Sequence, residues 1–497
     1  MTNQNISFLL KLSPDITLKS DYVRKSLIRR LDQNIHKALN TICEKSEFKL
    51  IRKYDRLELE LSVSENIEKK RDVINALQCI SGLAFFWERE QFELQEFDDI
   101  LADITPKLQH LQNKTFRVTV KRNGTHSFTS SDLARYIGGG LLRRIEGSSV
   151  KMKNFDYNVQ IEVKDKTLSL LTTRYESIAG MPMGSEERVV SLISGGYDSG
   201  VSTFMMMRKG CPTDFLFFNL GGYDHKEGVK QVSKYIADKY SNGYVPNMII
   251  IPFEKVMQEL IEKTEERYRT IVLKRCMMRA AELLAHDFRY AAIVTGESIA
   301  QVSSQTIVNL SIIEKSLDET PLFRPLLTFN KNEIIDISRE MGTDTFAAQM
   351  PEFCGVLSNK PATHAKLDAV LFTEENLSEN LIIDAVENKT VEKMDNLILA
   401  TEENITVKSV IEPNEIVIDL RQADEIKKNS SPFSETEIQV LEIPFYDINE
   451  KFKELDQSKH YVLFCSKGVM SKSHAQDLRQ AGFINVSIFK KGVKCEG

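Results

Sequence analysis

Residues 189–200 read VVSLISGGYDSG, and this stretch determines the fold of the central part of the chain. The apolar, β-branched run at its start predicts a buried strand that ends at Ile193. A helix is predicted to begin near Ser199 and to end at Gly210. Between strand and helix, Gly195 and Gly196 permit a backbone path that a Cβ would obstruct. The segment therefore predicts a tight loop between a buried strand and the start of a helix.

This loop has the properties of a phosphate-binding site. Backbone N–H groups and the hydroxyls of Ser194 and Ser199 can point at an anion near the positive end of the helix dipole. Asp198 would repel a bare phosphate, so we expect it to act through Mg²⁺ or to position the loop. A glycine-rich turn without a ligand is the alternative, but the full SGGxDS pattern disfavours it. No Gly-Lys-Ser/Thr follows, which excludes a Walker A loop.

The surrounding sequence predicts a parallel sheet. Short apolar runs at 214–219, 248–252 and 291–295 alternate with helical stretches, as in an α/β domain covered on both faces. The last run leads into Thr295-Gly296-Glu297 and then into Gln305, where open α/β sheets bind ligands. The intervening helix carries three cations suited to neutralising phosphates, although a solvated basic face is the alternative. They are Lys274, Arg275 and Arg279.

A second reactive site is predicted near the C-terminus. The strand YVLF is followed by Cys465 and then by a helix through Gln480. A cysteine at such a junction faces backbone N–H groups and the positive end of a helix, which would stabilise a persulfide anion. Cys354, in MPEFCG, would by itself be a core thiol. Beside a persulfide cysteine it becomes a candidate partner, because releasing the terminal sulfur needs a second thiol.

Composition limits the class of protein. The 497 residues are 42% hydrophobic and 27% charged, as in an ordinary globular protein of several domains. No stretch approaches the ~20 apolar residues that span a bilayer, and Met1–Lys19 lacks the features of a signal peptide, so we expect a cytoplasmic protein without membrane contact. The seven cysteines never form Cys-x-x-Cys, so no structural metal site is expected.

The net charge of −6 conceals a basic module and an acidic one. Residues 114–153 hold nine Lys or Arg against two acids, whereas 366–410 hold four Lys against ten acids and suit a solvated helical linker. A solvated basic face and an RNA surface are nearly equal interpretations of the basic stretch. Its candidates for RNA contact are Lys114, Arg117, Lys121, Arg122, Arg135, Arg143 and Arg144.

Together these features resemble one family. SGGYDSG is similar to the PP-loop of ATP pyrophosphatases, and residues 416–425, 443–445 and 481–489 with Cys465 look like a rhodanese domain. The order of modules resembles the bacterial tRNA 4-thiouridine synthetases (tRNA sulfurtransferases) of the long, rhodanese-bearing type. The resemblance implies α+β N-terminal RNA-binding modules, an α/β PP-loop domain with a parallel sheet, and an α/β rhodanese domain. The expected boundaries are 1–75 (ferredoxin-like), 76–165 (THUMP), 170–364 (PP-loop), 365–410 (acidic linker) and 411–497 (rhodanese).

The resemblance also implies chemistry and partners. ATP with Mg²⁺ would adenylate O4 of a tRNA uridine, at position 8 in the family, and a cysteine desulfurase would load Cys465 as a persulfide. Sulfur transfer would leave a Cys354–Cys465 disulfide for a cellular reductant, and a sulfur-carrier protein of thiazole (thiamine) synthesis would be a second acceptor. A homodimer is expected. The nucleotide site implied by the resemblance comprises Leu192, Ile193, Ser194, Gly195, Gly196, Ser199, Lys274, Gly296 and Gln305.

Three other functions are weighed against this one. A relay enzyme that adenylates and thiolates only a carrier protein would not need the basic module. A non-catalytic RNA-binding protein would not need an intact SGGYDSG. An ATP-dependent amidotransferase would have no use for a persulfide domain.

Overall fold

The computed structural model of the chain describes residues 6–62, 67–220, 223–348, 350, 360–399, 405–421, 423–428, 431–433, 438–466 and 468–490. The chain divides into two compact units. The first is Met1–Ser185 with Arg208–Gly210, and the second is Glu186–Met207 with Cys211–Gly497. Within the described residues, no helix has the length and apolar character that a membrane crossing requires.

The first unit is built on one eight-stranded sheet with the order β2-β3-β1-β4-β8-β7-β5-β6. Its strands are β1 (Ile6–Leu12), β2 (Phe48–Arg52), β3 (Arg56–Leu61), β4 (Leu83–Glu93), β5 (Thr115–Asn123), β6 (Ser149–Val150), β7 (Tyr157–Lys164) and β8 (Thr167–Glu176). Its helices are α1 (Pro14–Thr17), α2 (Asp21–Leu39), α3 (Ile67–Gln78), α4 (Phe97–Ile104) and α5 (Ser130–Arg144). A 3₁₀ helix spans Thr105–Leu111.

The first four strands have the expected ferredoxin-like order. β1 lies between β3 and β4, and all the pairings in this half are antiparallel. Leu27, Leu31 and Ile35 recur at one-turn spacing on α2 and pack with Phe8 and Leu10 of β1. The boundary predicted at residue 75 lies before β4, which supplies the fourth strand. Because β4 also pairs with β8, the two N-terminal modules share one continuous sheet.

The second half of this sheet contains the basic stretch. β5 pairs in parallel with β7, and β7 forms the predicted hairpin with β8. α5 begins at a capping box in which the Thr129 side chain and Asp132 bond reciprocally to each other's backbone N–H. Leu133, Ile137 and Leu141 of α5 pack against Phe116 of β5 in a separate core. β8 runs past residue 170, the expected start of the next domain.

The second unit opens with the predicted parallel sheet, in the order β13-β12-β9-β10-β11-β14. Its strands are β9 (Val189–Leu192), β10 (Thr213–Asn219), β11 (Asn247–Pro252), β12 (Ile293–Val294), β13 (Leu322–Phe323) and β14 (Thr390–Lys393). The helices are α6 (Tyr197–Arg208), α7 (Tyr223–Tyr240), α8 (Glu254–Lys263), α9 (Arg269–Phe288), α10 (Ile307–Glu314), α11 (Lys331–Met341), α12 (Asp344–Ala347), α13 (Leu367–Glu374) and α14 (Leu381–Glu387). Short 3₁₀ helices span Ser303–Gln305 and Met394–Asn396.

Residues 365–399 differ from the predicted solvated linker. Val370 of α13 and Leu381 of α14 are buried in the PP-loop core, and β14 extends the sheet by pairing antiparallel with β11. The acidic composition was misleading because it does not show that some apolar residues are buried in the core, nor that Glu374, whose side chain is 9% exposed, pairs with Arg275 and Arg279. This segment is therefore part of the PP-loop domain.

The C-terminal part of the second unit is a five-stranded, all-parallel sheet in the order β15-β19-β18-β16-β17. Its strands are β15 (Val407–Lys408), β16 (Glu415–Asp419), β17 (Val440–Glu442), β18 (His460–Phe464) and β19 (Val486–Phe489). The helices are α15 (Ala423–Lys428), α16 (Ile448–Lys451) and α17 (Val469–Gln480), with a 3₁₀ turn at Phe452–Glu454.

Candidate active site

The SGGYDSG loop joins β9 to α6 and is held by its own hydroxyls. The Ser199 hydroxyl accepts the Ser194 N–H at 3.1 Å and donates to the Gly196 carbonyl at 3.2 Å. Gly195 has φ +80°, a left-handed conformation that disfavours any residue with a Cβ. The loop, residues 194–199, is therefore a preformed cradle between the end of β9 and the start of α6, and it is the tight strand-to-helix loop that the sequence predicted.

Two other segments, the residues after β12 and the first turn of α7, contact this cradle. Gly296 follows β12, and a Cβ at this position would lie 2.6 Å from the carbonyl carbon of Asp198 and 2.8 Å from Ser199 N. A glycine is needed here because strand end and loop backbone are in direct contact. On the other side, Nε2 of His225 in α7 lies 3.0 Å from the Ser194 carbonyl oxygen. Burial lowers the pKa of His225 to about 4, so the imidazole is neutral and donates this bond.

Asp198 is engaged by two side chains from later in the sequence. Lys331 Nζ lies 2.9 Å from Asp198 Oδ1, and Gln301 Nε2 donates to Asp198 Oδ2 at 2.7 Å. Lys331 Nζ also lies 5.4 Å from the centroid of the Tyr197 ring. Sequence reasoning missed Lys331. The available signal was its place as the first residue of the capped helix α11, at the sheet edge that binds ligands.

The three predicted phosphate-neutralising cations of α9 have carboxylate partners. Lys274 Nζ lies 2.8 Å from Glu297, which also binds Arg324 at 2.9 Å. Burial alone would raise the pKa of Glu297, but Lys274 and Arg324 together lower it to about 2. Arg275 and Arg279 both pair with Glu374 of α13, which ties the predicted linker to the core. Of the three, only Lys274 is linked to the ligand edge.

The remaining nucleotide candidates lie around the same edge. Leu192 is the last residue of β9, and Ile193, which is buried, follows it. Gln305 is buried, and its Oε1 has no hydrogen-bond partner among the described residues. A buried orphan acceptor is costly, so it points to a donor group that a ligand would bring. The cradle and this acceptor fit a nucleotide.

The second site surrounds Cys465, between β18 and α17. The Ser471 N–H donates to Cys465 Sγ at 3.3 Å, and the Ser471 hydroxyl lies 3.5 Å from the same sulfur. Gly468, at φ +77°, turns the chain into the helix. Cys465 is 9% exposed. Arg421 lies 5.2 Å from the ring of Phe464, the residue before Cys465, and pairs with the carboxylate of Asp419 at 2.6 Å. In the contact between the sulfur and the Ser471 hydroxyl the thiol is the donor, and the hydroxyl donates to the Gly468 carbonyl at 3.1 Å. The donor to the sulfur is therefore the Ser471 backbone N–H, a contact that favours an anion.

The predicted partner Cys354 lies outside the described residues, as does Lys467. The nearest described residue before Cys354 is Met350. A Cβ at Gly195 would overlap the terminal methyl of Met350, so this side chain lies directly over the phosphate cradle.

The predicted RNA-binding residues divide between two faces of the first unit. Lys121 is exposed on β5, on the face opposite to the buried Phe116, whereas Arg143 and Arg144 are exposed at the end of α5. Lys114 and Arg135 are also exposed. Arg117 and Arg122 are partly buried by local contacts: Arg117 lies 4.5 Å from the ring centroid of Phe155, and Arg122 donates to the Gly124 carbonyl at 3.1 Å.

Three family models match successive parts of the chain. A THUMP domain matches residues 95–172, Thiamine biosynthesis protein (ThiI) matches 184–378, and a rhodanese-like domain matches 405–494. These ranges confirm the predicted order of modules and the predicted fold class.

Curated relatives match over nearly the whole chain. The tRNA sulfurtransferase of Haemophilus influenzae (strain PittGG) is 41% identical over 98% of this chain and 100% of the relative. Those of Proteus mirabilis and Salmonella typhimurium are 38% and 39% identical with the same coverage. Among solved structures, a 4-thiouridine synthetase in complex with RNA and bound ATP matches with a TM-score of 0.67 and 25% identity, over 78% of this chain and 99% of that one. The chain therefore belongs to the tRNA sulfurtransferase family.

Proposed function

We propose that this sulfurtransferase uses ATP to transfer persulfide sulfur from Cys465 to a uridine of tRNA, giving 4-thiouridine, at position 8 by family resemblance. The observation that carries the proposal is the presence, in one compact unit, of a phosphate cradle and a cysteine loop that stabilises an anion. The solved relative with bound RNA and ATP supports both substrates.

The first step is activation of the uridine. O4 of the base attacks the α-phosphorus of ATP, pyrophosphate leaves, and the adenylated oxygen becomes a leaving group. Ser194, Gly195, Gly196 and Ser199 surround the phosphates through N–H and O–H donors. Leu192, Ile193, Lys274, Gly296 and Gln305 complete the nucleotide site in this proposal.

Mg²⁺ is proposed to accompany ATP. Among the described residues, no group of three or more His, Cys, Asp or Glu side chains could hold a metal ion. This fits an ion bound mainly by the substrate's phosphates, since Mg²⁺ commonly takes only one or two protein carboxylates. Asp198 is the proposed carboxylate, and Lys331 neutralises it when the ion is not bound. Bound Mg²⁺ would supply charge neutralisation of the phosphates.

The second step is sulfur transfer. In one route the outer sulfur of the Cys465 persulfide attacks C4 of the base, AMP leaves, and Cys354 then attacks Cys465 Sγ and releases the thiolated base. In the other, Cys354 first attacks Cys465 Sγ and releases hydrosulfide that attacks C4. Either route expels AMP with the former O4, forms the Cys354–Cys465 disulfide and requires a cellular thiol reductant.

The N-terminal unit is proposed to bind tRNA. Its exposed cations on β5 and α5 supply phosphate contacts, which give affinity and salt dependence without reading bases. A cysteine desulfurase is the proposed persulfide donor, and a homodimer the proposed assembly.

A second acceptor is proposed because residues 184–378 match the family Thiamine biosynthesis protein (ThiI). In this role the persulfide of Cys465 would pass to a sulfur-carrier protein for the thiazole of thiamine. An enzyme that serves only such a carrier is the competing function.

The test is single-turnover transfer from Cys465 preloaded with ³⁵S persulfide, mixed with unmodified tRNA with and without ATP. We expect label in tRNA only with ATP, and loss of transfer in Cys354→Ala. Label that passes to the carrier protein but never to tRNA would overturn the tRNA role.

A further inference from the structure

Helix α17, which follows the Cys465 loop, is covered on two opposite sides. Its Ala475 and Leu478 belong to the core under the rhodanese sheet. With 3.6 residues per turn, Ser473 and Gln476 lie on the other side of the helix. These two side chains are nevertheless only 0% and 2% exposed. The element that packs against α17 from outside the rhodanese domain is α7 of the PP-loop domain.

Two apolar side chains join the domains at this contact. Met470, in the first turn of α17, packs against both the rhodanese core and the PP-loop core. Ile261 of α8 likewise packs against both. The contact therefore has an apolar anchor contributed from each side.

The contact lies at the ligand edge of the parallel sheet. Glu254 follows β11 and accepts a hydrogen bond from Asn219, the last residue of β10, at 2.8 Å. Asp477 of α17 and Lys226 of α7 both lie close enough to act electrostatically on this carboxyl. The phosphate cradle follows β9, two strands from β11 and hence about 10 Å away at the usual strand spacing. α7 completes the connection because its first turn reaches the cradle through His225.

The contact between α17 and α7 is buried, yet the side of α17 that faces α7 carries polar residues. The outward side of α17 presents Ser473 and Gln476 instead of leucine or isoleucine. Polar interfaces between domains typically separate, whereas large apolar ones do not.

We propose that the packing of α17 on α7 and α8 is a reversible intramolecular dock that delivers the Cys465 persulfide to the PP-loop site and opens for reloading. The inference rests on the proposed sulfur transfer. During loading, the Cys465 thiolate attacks the outer sulfur of the donor's persulfide, a new S–S bond forms and the donor's thiolate leaves. A protein donor must approach Cys465 closely for this step, and α17, which begins four residues after Cys465, is covered on its outward side by α7 in the docked state.

The test uses the full chain with a charge placed in the contact from either side. Ser473→Glu alters the outward side of α17 without entering the rhodanese core, and Ile261→Glu alters the facing side. Ser458→Glu, at an exposed serine of the rhodanese domain, is the matched control. Three rates are measured: loading of Cys465 by a cysteine desulfurase, tRNA-dependent pyrophosphate release, and single-turnover ³⁵S transfer from preloaded Cys465. Hydrogen exchange of α17 reports the dock directly.

Both contact variants are expected to slow transfer at least 10-fold and to lose protection of α17, with pyrophosphate release unchanged and loading unchanged or faster. The control should match wild type. Transfer within twofold of wild type in either variant, despite lost protection of α17, would overturn the dock as the delivery state. Equal losses of loading and transfer would do the same. If wild type itself fails to thiolate tRNA with ATP, the proposed function fails instead, while the exchange measurement still reports the contact.

Discussion

Replacing Gly195 by alanine tests whether the phosphate cradle depends on one left-handed residue. Gly195 has φ +80°, and an added Cβ would also overlap the end of the Met350 side chain. The adjacent Gly196 is the matched control. Its backbone does not require a left-handed conformation, and the nearest atom to an added Cβ would be Ser194 Oγ at 3.8 Å.

The expected difference follows from backbone conformation. An L-residue in the left-handed region costs about 1–2 kcal/mol. Replacing glycine also stabilises the folded state by roughly 0.4–1 kcal/mol through the unfolded chain, but this effect is common to both variants and cancels in their comparison. Backbone strain should therefore make Gly195→Ala at least about 1–2 kcal/mol less stable than Gly196→Ala, and the overlap with Met350 adds to this difference. For a domain of this size the backbone strain alone corresponds to roughly 2–8 °C in unfolding temperature.

Differential scanning calorimetry of the full chain, with the PP-loop transition identified by its shift on adding ATP, measures this difference. Met350→Ala combined with Gly195→Ala should recover only the part of the loss that comes from overlap, since the backbone strain remains. An unfolding temperature for Gly196→Ala equal to or below that of Gly195→Ala would refute the reasoning.

Three further outcomes are expected. Lys331→Ala leaves Asp198 without its cation and should slow tRNA-dependent pyrophosphate release on the order of 100-fold. The free energy of unfolding should change by less than about 1 kcal/mol because the ion pair is partly exposed. An unchanged release rate contradicts the assigned role. Ser471→Ala removes the hydroxyl that donates to the Gly468 carbonyl at 3.1 Å and accepts from the Cys465 thiol at 3.5 Å, a loss of about 1 kcal/mol. Because this hydroxyl ties the loop that holds the sulfur, its removal should shorten the persulfide lifetime seen by mass spectrometry about fivefold; an unaltered lifetime counts against this contact. Burial raises the pKa of Glu254 from 4.5 to about 7, so the folded unit holds this proton more tightly than the unfolded chain. The folded unit therefore loses stability as pH rises from about 4.5 through 7. Glu254→Gln should flatten that stretch of the stability–pH profile, and an identical slope would exclude this carboxyl as its source.

Local patterns in the sequence predicted much of the fold and of the candidate site. The strand and helix on either side of SGGYDSG follow from hydrophobic pattern and glycine placement, which act over a few residues. The position of Cys465 between a strand and a helix follows in the same way. The ThiI, THUMP and rhodanese matches confirm the order of modules, because each module carries its own local signature.

Composition misled where tertiary contacts decide. The acidic stretch after residue 365 suggested a solvated linker, yet Glu374 pairs with Arg275 and Arg279 and draws α13 onto the core. These ion pairs engage Arg275 and Arg279, two of the three cations that were expected to neutralise the phosphates. A charge run does not show which of its members find partners about a hundred residues away.

The sequence by itself determined the local features of each site: a Ser-Gly-Gly loop between a strand and a helix, a cysteine at a strand–helix junction and a basic N-terminal module. Their residue types and spacing are local, and local backbone geometry follows from them. Only the tertiary structure decided that Lys331 reaches Asp198 across 133 positions, that β4 joins the two N-terminal modules in one sheet, and that α17 packs on α7. Such contacts depend on how whole elements pack in space, and no short stretch of sequence carries that information.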